Sequence, residues 1–216
     1  MNLDNIVKKA SQILKNHNIH SHELDAQIIL SNIMGVKREF LITNNEINIL
    51  DIGTGSGCIL LSILKELNFS RGIGIDISAK AIQMAKVNSK NLNLFYRSKF
   101  KVIDLNKFNI GKYDLIVSNP PYIPSRDIKN LSKDITNYEP RTALNGGSDG
   151  LDLIKKVIYK SNHLLKREGL LALEIGHSQY QRVSYILRSN GYREMSKEYD
   201  FNHNVRCIIG TKVKFF

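Results

Sequence analysis

Cysteine, proline and acidic residues are all scarce in this chain, and no long apolar run interrupts it. Cys58 and Cys207 are the two cysteines. They provide neither a disulfide framework nor a metal-ligand spacing, and they fit a reduced, cytoplasmic setting. No segment approaches the ~18 consecutive apolar residues of a membrane span. The N-terminus shows no apolar core followed by a small-residue cleavage site, so nothing points to secretion. Asp and Glu total 20 against 31 Lys and Arg, for a net charge of +11. An anionic partner such as RNA, DNA or a ribonucleoprotein is one reading of that excess. Biased composition is the other, because 22 Asn and 28 Ile accompany the lysines and no basic block occurs. Charge alone therefore selects no partner. The four prolines sit at positions 120, 121, 124 and 140.

A length of 216 residues with 42% hydrophobic and 24% charged side chains suits one full domain plus a small appendage. Leu3, Ile6, Val7, Ala10, Ile13 and Leu14 recur at helical spacing. Ser21 caps a second helical pattern that Gly35 ends, and 36–42 reads as a short third helix. Residues 1–43 are thus a helical segment, and 47–216 a separate domain. In that domain strands are expected at 47–52, 72–76, 100–104, 113–118, 170–175, 192–199 and 205–211. Helices are expected at 58–67, 79–91, 151–165 and 178–189. The alternation predicts an α/β fold: a Rossmann-like, mostly parallel seven-stranded sheet covered on both faces. Residues 200–204 are too few for a crossover, so the last strand should run antiparallel. Residues 125–150 form the one long irregular stretch, a length that is usually functional or disordered.

Two strand ends carry chemistry. The first is Ile49-Leu50-Asp51-Ile52 running into Gly53-Thr54-Gly55-Ser56-Gly57. Glycines there let the chain bend and let a ligand touch backbone, and the helix that follows aims free N–H groups at it. Asp76 ends the next strand, where a carboxylate can accept from both ribose hydroxyls. Helix capping is the alternative for Asp76, although Ser78 is the better cap. Asp104 ends the third strand and could accept from an adenine amino group, with Leu105 packing on the ring; a loop-turn aspartate is the alternative. The second strand end is Tyr113-Asp114-Leu115-Ile116-Val117-Ser118 followed by Asn119-Pro120-Pro121-Tyr122. The Asn119 side-chain oxygen and the Pro120 carbonyl can accept from both N–H groups of an amide or amino group. Pro120 and Pro121 fix φ near −65° and hold those carbonyls rigid. Tyr122 offers a flat face to a planar group. Together the two motifs read as S-adenosylmethionine-dependent methylation of a planar nitrogen. No metal is required. A dinucleotide site competes for the glycine turn, but the turn is GxGxG, not GxGxxG, and the paired prolines have no role in hydride transfer.

The NPPY tetrapeptide with this glycine turn resembles both the N6-adenine methyltransferases and the protein glutamine-N5 methyltransferases. The remainder resembles the release factor glutamine methyltransferases of the HemK type. The segments that carry this are Tyr138-Glu139-Pro140-Arg141-Thr142-Ala143-Leu144, Gly146-Gly147-Ser148-Asp149-Gly150-Leu151, Leu173-Glu174-Ile175-Gly176 with Gln179, the stretch 200–208, and Leu24-Asp25-Ala26 through Gly35 and Arg38. The resemblance implies S-adenosyl-L-methionine as cofactor and the GGQ-containing domain of peptide chain release factors as partner. It implies that Asn119 and Pro120 orient the glutamine amide, that Pro121 and Tyr122 border it, and that Gly53 to Gly57 with Asp76, Asp104, Leu105 and Asn119 hold the cofactor. Two alternatives stand beside it: an N6-adenine methyltransferase acting on RNA or DNA, and a shortened family member that binds its partner without catalysis.

One departure from the family pattern is large. Members of the family carry several dozen further residues between the helical domain and the first strand, including a proline-rich segment beside the cofactor. Here Leu41-Ile42-Thr43 runs almost directly into Ile47-Asn48-Ile49-Leu50. This reads as an internal deletion that removes one wall of the cofactor pocket. A version with such a segment restored should be more stable and bind S-adenosylhomocysteine more tightly by calorimetry. Equal stability and affinity in the two chains would contradict the deletion reading.

Overall fold

A strand covered on both faces reads as an almost unbroken apolar run. β1 (Asn48–Ile52) and β4 (Tyr113–Ser118) are both of this kind, and they lie side by side at the middle of the sheet. The computed structural model describes residues 47–68, 70–130 and 140–213. The helices expected before residue 43, and the junction at 43–46, lie outside the described residues, as do Tyr138 and Glu139.

After β1 come α1 (Cys58–Glu66), β2 (Arg71–Asp76), α2 (Ala79–Asn91), β3 (Ser98–Val102), a 3-10 turn at Leu105–Lys107, and β4. A second 3-10 turn at Ile128–Asn130 and the short α3 (Arg141–Leu144) occupy part of the long loop. Then follow α4 (Asp152–Leu164), β5 (Leu165–Glu174), α5 (Tyr180–Ser189), β6 (Tyr192–Tyr199) and β7 (Val205–Lys212). The seven strands order as β3-β2-β1-β4-β5-β7-β6. All neighbours pair parallel except β7, which runs antiparallel to both β5 and β6.

Side chains alternate between faces along a strand, and two cores result. Leu50, Ile116, Leu171 and Ile208 join Ile154, Val157 and Ile158 of α4 and Val183 and Leu187 of α5. Ile49, Leu115, Ala172 and Ile209 join Leu60, Ile63 and Leu64 of α1 and Ile82 and Ala85 of α2. The buried positions of α4, Ile154, Val157, Ile158, Ser161 and Leu164, keep the three-and-four spacing of one helical face. The Ser78 hydroxyl accepts from the Ala81 amide at 3.2 Å and caps α2.

Two boundaries differ from the sequence expectation for identifiable reasons. β3 begins two residues earlier than expected, because the Ser98 hydroxyl is buried against Ser89 at 2.7 Å and reads falsely as loop. β5 begins at Leu165, which pairs with Tyr113, so its polar opening residues Lys166, Arg167 and Glu168 were hidden from an apolar pattern.

Gly74 of β2 shows how tightly the glycine-turn side of the sheet is filled. A Cβ there would lie 2.7 Å from both Phe100 Cδ1 and Thr54 Oγ1. Gly74→Ala should therefore destabilise the fold by about 1–3 kcal/mol through overpacking. A urea midpoint unchanged from wild type would contradict this packing.

Candidate active site

Parallel pairing sets the ends of four strands in one row. Ile52 of β1 is level with Ile75 of β2 and with Ser118 of β4, and Asp76 is level with Val102 of β3. One residue further along each strand, Asp76, Gly53 and Asn119 stand side by side at the C-terminal edge, with neighbouring strands ~4.8 Å apart. β1 is also where the strand order reverses, with β2 on one side and β4 on the other. Ligands of open α/β sheets bind in the crevice that this reversal opens.

The glycine turn is tied down by backbone. Gly53 and Thr54 both donate to the Ile75 carbonyl, at 2.9 and 3.0 Å, and Gly57 donates to Thr54 at 2.8 Å. Gly53 and Gly55 have φ of 71° and 56°, and a Cβ on either would enter open space. The surface above them is thus free for a ligand, while the backbone conformation still requires glycine. No side chain caps α1, whose first turn opens at the same edge. Asn88 of α2 buttresses the turn by donating to the Ser56 carbonyl at 3.0 Å.

Asp76 engages the turn directly: Oδ2 accepts from the Gly55 amide at 3.0 Å and Oδ1 from Ser78 at 2.8 Å. It does not cap α2; Ser78 does. A carboxylate offers about four lone-pair sites, so two remain for ligand hydroxyls. Asp104 Oδ1 accepts from Asn106 at 2.7 Å and caps the 3-10 turn, so the loop-turn description fits that oxygen. Leu105 is only 8% exposed and belongs to the core on the α4 side. By contrast, Ile77, directly after Asp76, is 67% exposed. An apolar side chain left in solvent beside a ligand crevice was a signal that sequence reading missed.

Asp51 was also missed. Its side chain is fully buried, Oδ2 accepts from the Thr54 hydroxyl at 2.6 Å, and Oδ1 has no hydrogen-bond partner among the described residues. Burial pushes its carboxyl up to about 6, against the opposing pull of Thr54 and the Leu60 amide.

The second strand end is built to leave two acceptors free. Asn119 is exposed, and its side chain bonds to no described residue; the Pro120 carbonyl accepts from none either. Everything after them is fixed. Gln179 Nε2 donates to the Tyr122 carbonyl at 2.9 Å and to Gly150 at 3.1 Å, and Gln179 Oε1 accepts from Gly176 at 2.9 Å. Ile123 forms a bridge with Asn145. The half-buried Tyr122 hydroxyl accepts from Arg206 at 2.7 Å and donates to Glu174 at 3.3 Å. Burial first, then the Glu174 charge, raises the Tyr122 phenol, so it stays protonated at neutral pH. Cys58 and Cys207 are both free, and no metal-binding group of side chains occurs among the described residues. No helix among them is long and apolar enough to cross a membrane.

This sheet, with a glycine turn and free acceptors at its switch point, defines a methyltransferase domain, and residues 43–192 match the family described as "Methyltransferase domain". Residues 5–51 match a second family, "PrmC N-terminal domain". Among curated relatives, the release factor glutamine methyltransferase of Rhodospirillum rubrum is 40% identical over 164 residues, covering 76% of this chain and 50% of that protein. That of Caulobacter vibrioides is 34% identical over 198 residues, covering 91% of this chain and 67% of that one. The chain belongs to the release factor glutamine methyltransferase family. It spans about half the length of the Rhodospirillum rubrum relative. In fold it is similar to a ribosomal protein L11 methylase from Lactobacillus delbrueckii subsp. bulgaricus, with a TM-score of 0.60 at 19% identity, covering 88% of this chain and 80% of that one. It is also similar to a magnesium protoporphyrin IX methyltransferase from Synechocystis solved with bound SAM, with a TM-score of 0.56 at 16% identity, covering 81% and 75%.

The buried Asp51 carboxyl makes stability depend on pH. Its folded-state pKa of about 6 exceeds the ordinary 3.8. The unfolded chain therefore ionises first as pH rises, and stability is lost between about pH 4 and 6. The full cost is on the order of 3 kcal/mol. Asp51→Asn should thus gain on wild type as pH rises from 4 to 7 in urea unfolding. A constant difference between the two across that range would refute the buried charge.

Proposed function

We propose that this chain transfers a methyl group from S-adenosylmethionine to the side-chain amide nitrogen of the glutamine in the GGQ motif of peptide chain release factors. One observation carries the reading: the Asn119 side-chain oxygen and the Pro120 carbonyl have no partner among the described residues and lie one strand away from an open glycine turn. A primary amide has two N–H groups and needs two acceptors to be held in one orientation. Family membership supports glutamine over adenine as the bearer of that nitrogen.

The residues present suit the cofactor. The Gly53–Gly57 turn leaves room for its backbone-contacting part, Asp76 keeps lone pairs for ribose hydroxyls, and Ile77 offers an apolar surface to a base. Bound there, S-adenosylmethionine supplies an electrophilic sulfonium methyl. An amide nitrogen is a poor nucleophile because its lone pair is delocalised into the carbonyl. Asn119 and Pro120 aim it along the line of attack and stabilise the positive charge that grows on it. The prolines keep those acceptors from turning away. The Tyr122 ring borders the amide.

Labelled S-adenosylmethionine with release factor as substrate tests this. Label should appear on glutamine and vanish when that glutamine is alanine. Asn119→Ala should lower the rate on the order of 10²–10³-fold while S-adenosylhomocysteine binding persists. Asp76→Ala should instead weaken that binding. Label on adenine in RNA, label on neither substrate, or Asn119→Ala as fast as wild type would each refute the assignment.

A further inference from the structure

Tyr122 is gripped by two residues that lie 52 and 84 positions further along the chain. Glu174 ends β5, and Arg206 lies near the start of β7. The antiparallel pairing sets Glu174 opposite Cys207, and the Ile175 amide donates to the Arg206 carbonyl at 2.9 Å. The two strands thus deliver both side chains to the same sheet edge as Asn119. Arg206 Nη2 lies 2.7 Å from the Tyr122 hydroxyl and 3.4 Å from Glu174 Oε1, and that hydroxyl lies 3.3 Å from the same Oε1. The three groups close a triangle. The Arg206 guanidinium also sits 5.2 Å from the centre of the Tyr122 ring, within cation–π range.

We propose that Glu174 and Arg206 are positioning residues that set the Tyr122 ring against the substrate amide, an inference that rests on the reading given under Proposed function. The geometry favours this over a plain structural ion pair. Each of the two contacts the other and the tyrosine through the same oxygen and nitrogen. Side-chain exposures of 29% for Arg206 and 36% for Glu174 place the pair at the surface edge, outside both cores. The pair is part-buried, and burial raises the Glu174 carboxyl while the Arg206 charge and the Tyr122 hydroxyl oppose it. What the pair fixes is a half-buried phenol whose carbonyl end is already pinned by Gln179. Held at both ends, the ring has one resting place, and the rigid acceptors at Asn119 and Pro120 gain a rigid wall. Orientation of this sort contributes to turnover more than to binding.

The test has two arms. In the first, the nine tyrosines are replaced by 3-fluorotyrosine and the Tyr122 signal is assigned by its loss in Tyr122→Phe. Wild type should give one narrow Tyr122 line. Arg206→Met should broaden or move it, and Arg206→Lys should restore part of the shift. A Tyr122 line unchanged in Arg206→Met overturns the proposal. In the second arm, methylation of release factor is measured at saturating cofactor. Arg206→Met and Glu174→Ala should each lower kcat about tenfold with KM changed less than threefold. In a Tyr122→Phe background, which lacks the hydroxyl, neither should lower it much further. Additive losses, or losses confined to KM, overturn the proposal even where glutamine is labelled. If wild type labels no glutamine, the proposed function falls, and the fluorine arm still decides whether the pair sets Tyr122.

Discussion

Parallel pairing of β1 with a strand on each side is the constraint on which the rest depends. Ile52 is in register with Ile75 and with Ser118. A slip of one residue in either pairing would turn every side chain of that strand to the opposite core, and Leu50 and Ile49 belong to different cores. The register is therefore fixed by burial on both faces. Because the register is fixed, so is the row of strand ends, and Asp76, the glycine turn and Asn119 fall next to one another without any direct contact between their side chains.

Rigidity at the site comes from different sources on its two sides. On the glycine side it is backbone: the Ile75 carbonyl accepts twice, and the Asp76 carboxylate holds Gly55 and Ser78. On the NPPY side it is side chains from distant elements, with Gln179 at the start of α5, Glu174 of β5 and Arg206 of β7 all bearing on Tyr122. Gly150 and Gly176 let that clamp close. A Cβ on Gly150 would lie 2.3 Å from the Tyr122 carbonyl oxygen, and one on Gly176 would lie 3.0 Å from Gln179 Oε1. Among the described residues, the Asn119 side chain and the Pro120 carbonyl at this strand end accept no hydrogen bond.

The strand-turn-helix units were legible because each is local. An apolar run, a glycine cluster and a helical repeat sit within about twenty residues, and Ser78 announces α2 by capping it. Strand β3 was harder, since Ser98 hides its polar hydroxyl by pairing with Ser89. Asp51 carried no signal of its own in the sequence; the fold buries one of its oxygens without a partner among the described residues. The Tyr122, Glu174 and Arg206 triangle was not legible as a contact, because no periodicity links a loop residue after β4 to residues on β5 and β7. Leu105 was expected to pack on an adenine ring, and the 3-10 turn that Asp104 caps rolls it into the core.

The central claim is that a cofactor over the glycine turn and an amide at Asn119 meet at the β1–β4 crevice. A crystal structure of the chain with S-adenosylhomocysteine and a glutamine-containing peptide tests it most directly. The account predicts the adenosyl group over Gly53–Gly57 with ribose on Asp76, and the glutamine amide nitrogen within hydrogen-bond reach of both Asn119 Oδ1 and the Pro120 carbonyl. A glutamine seated away from those two acceptors, or an adenosyl group off the glycine turn, would contradict it.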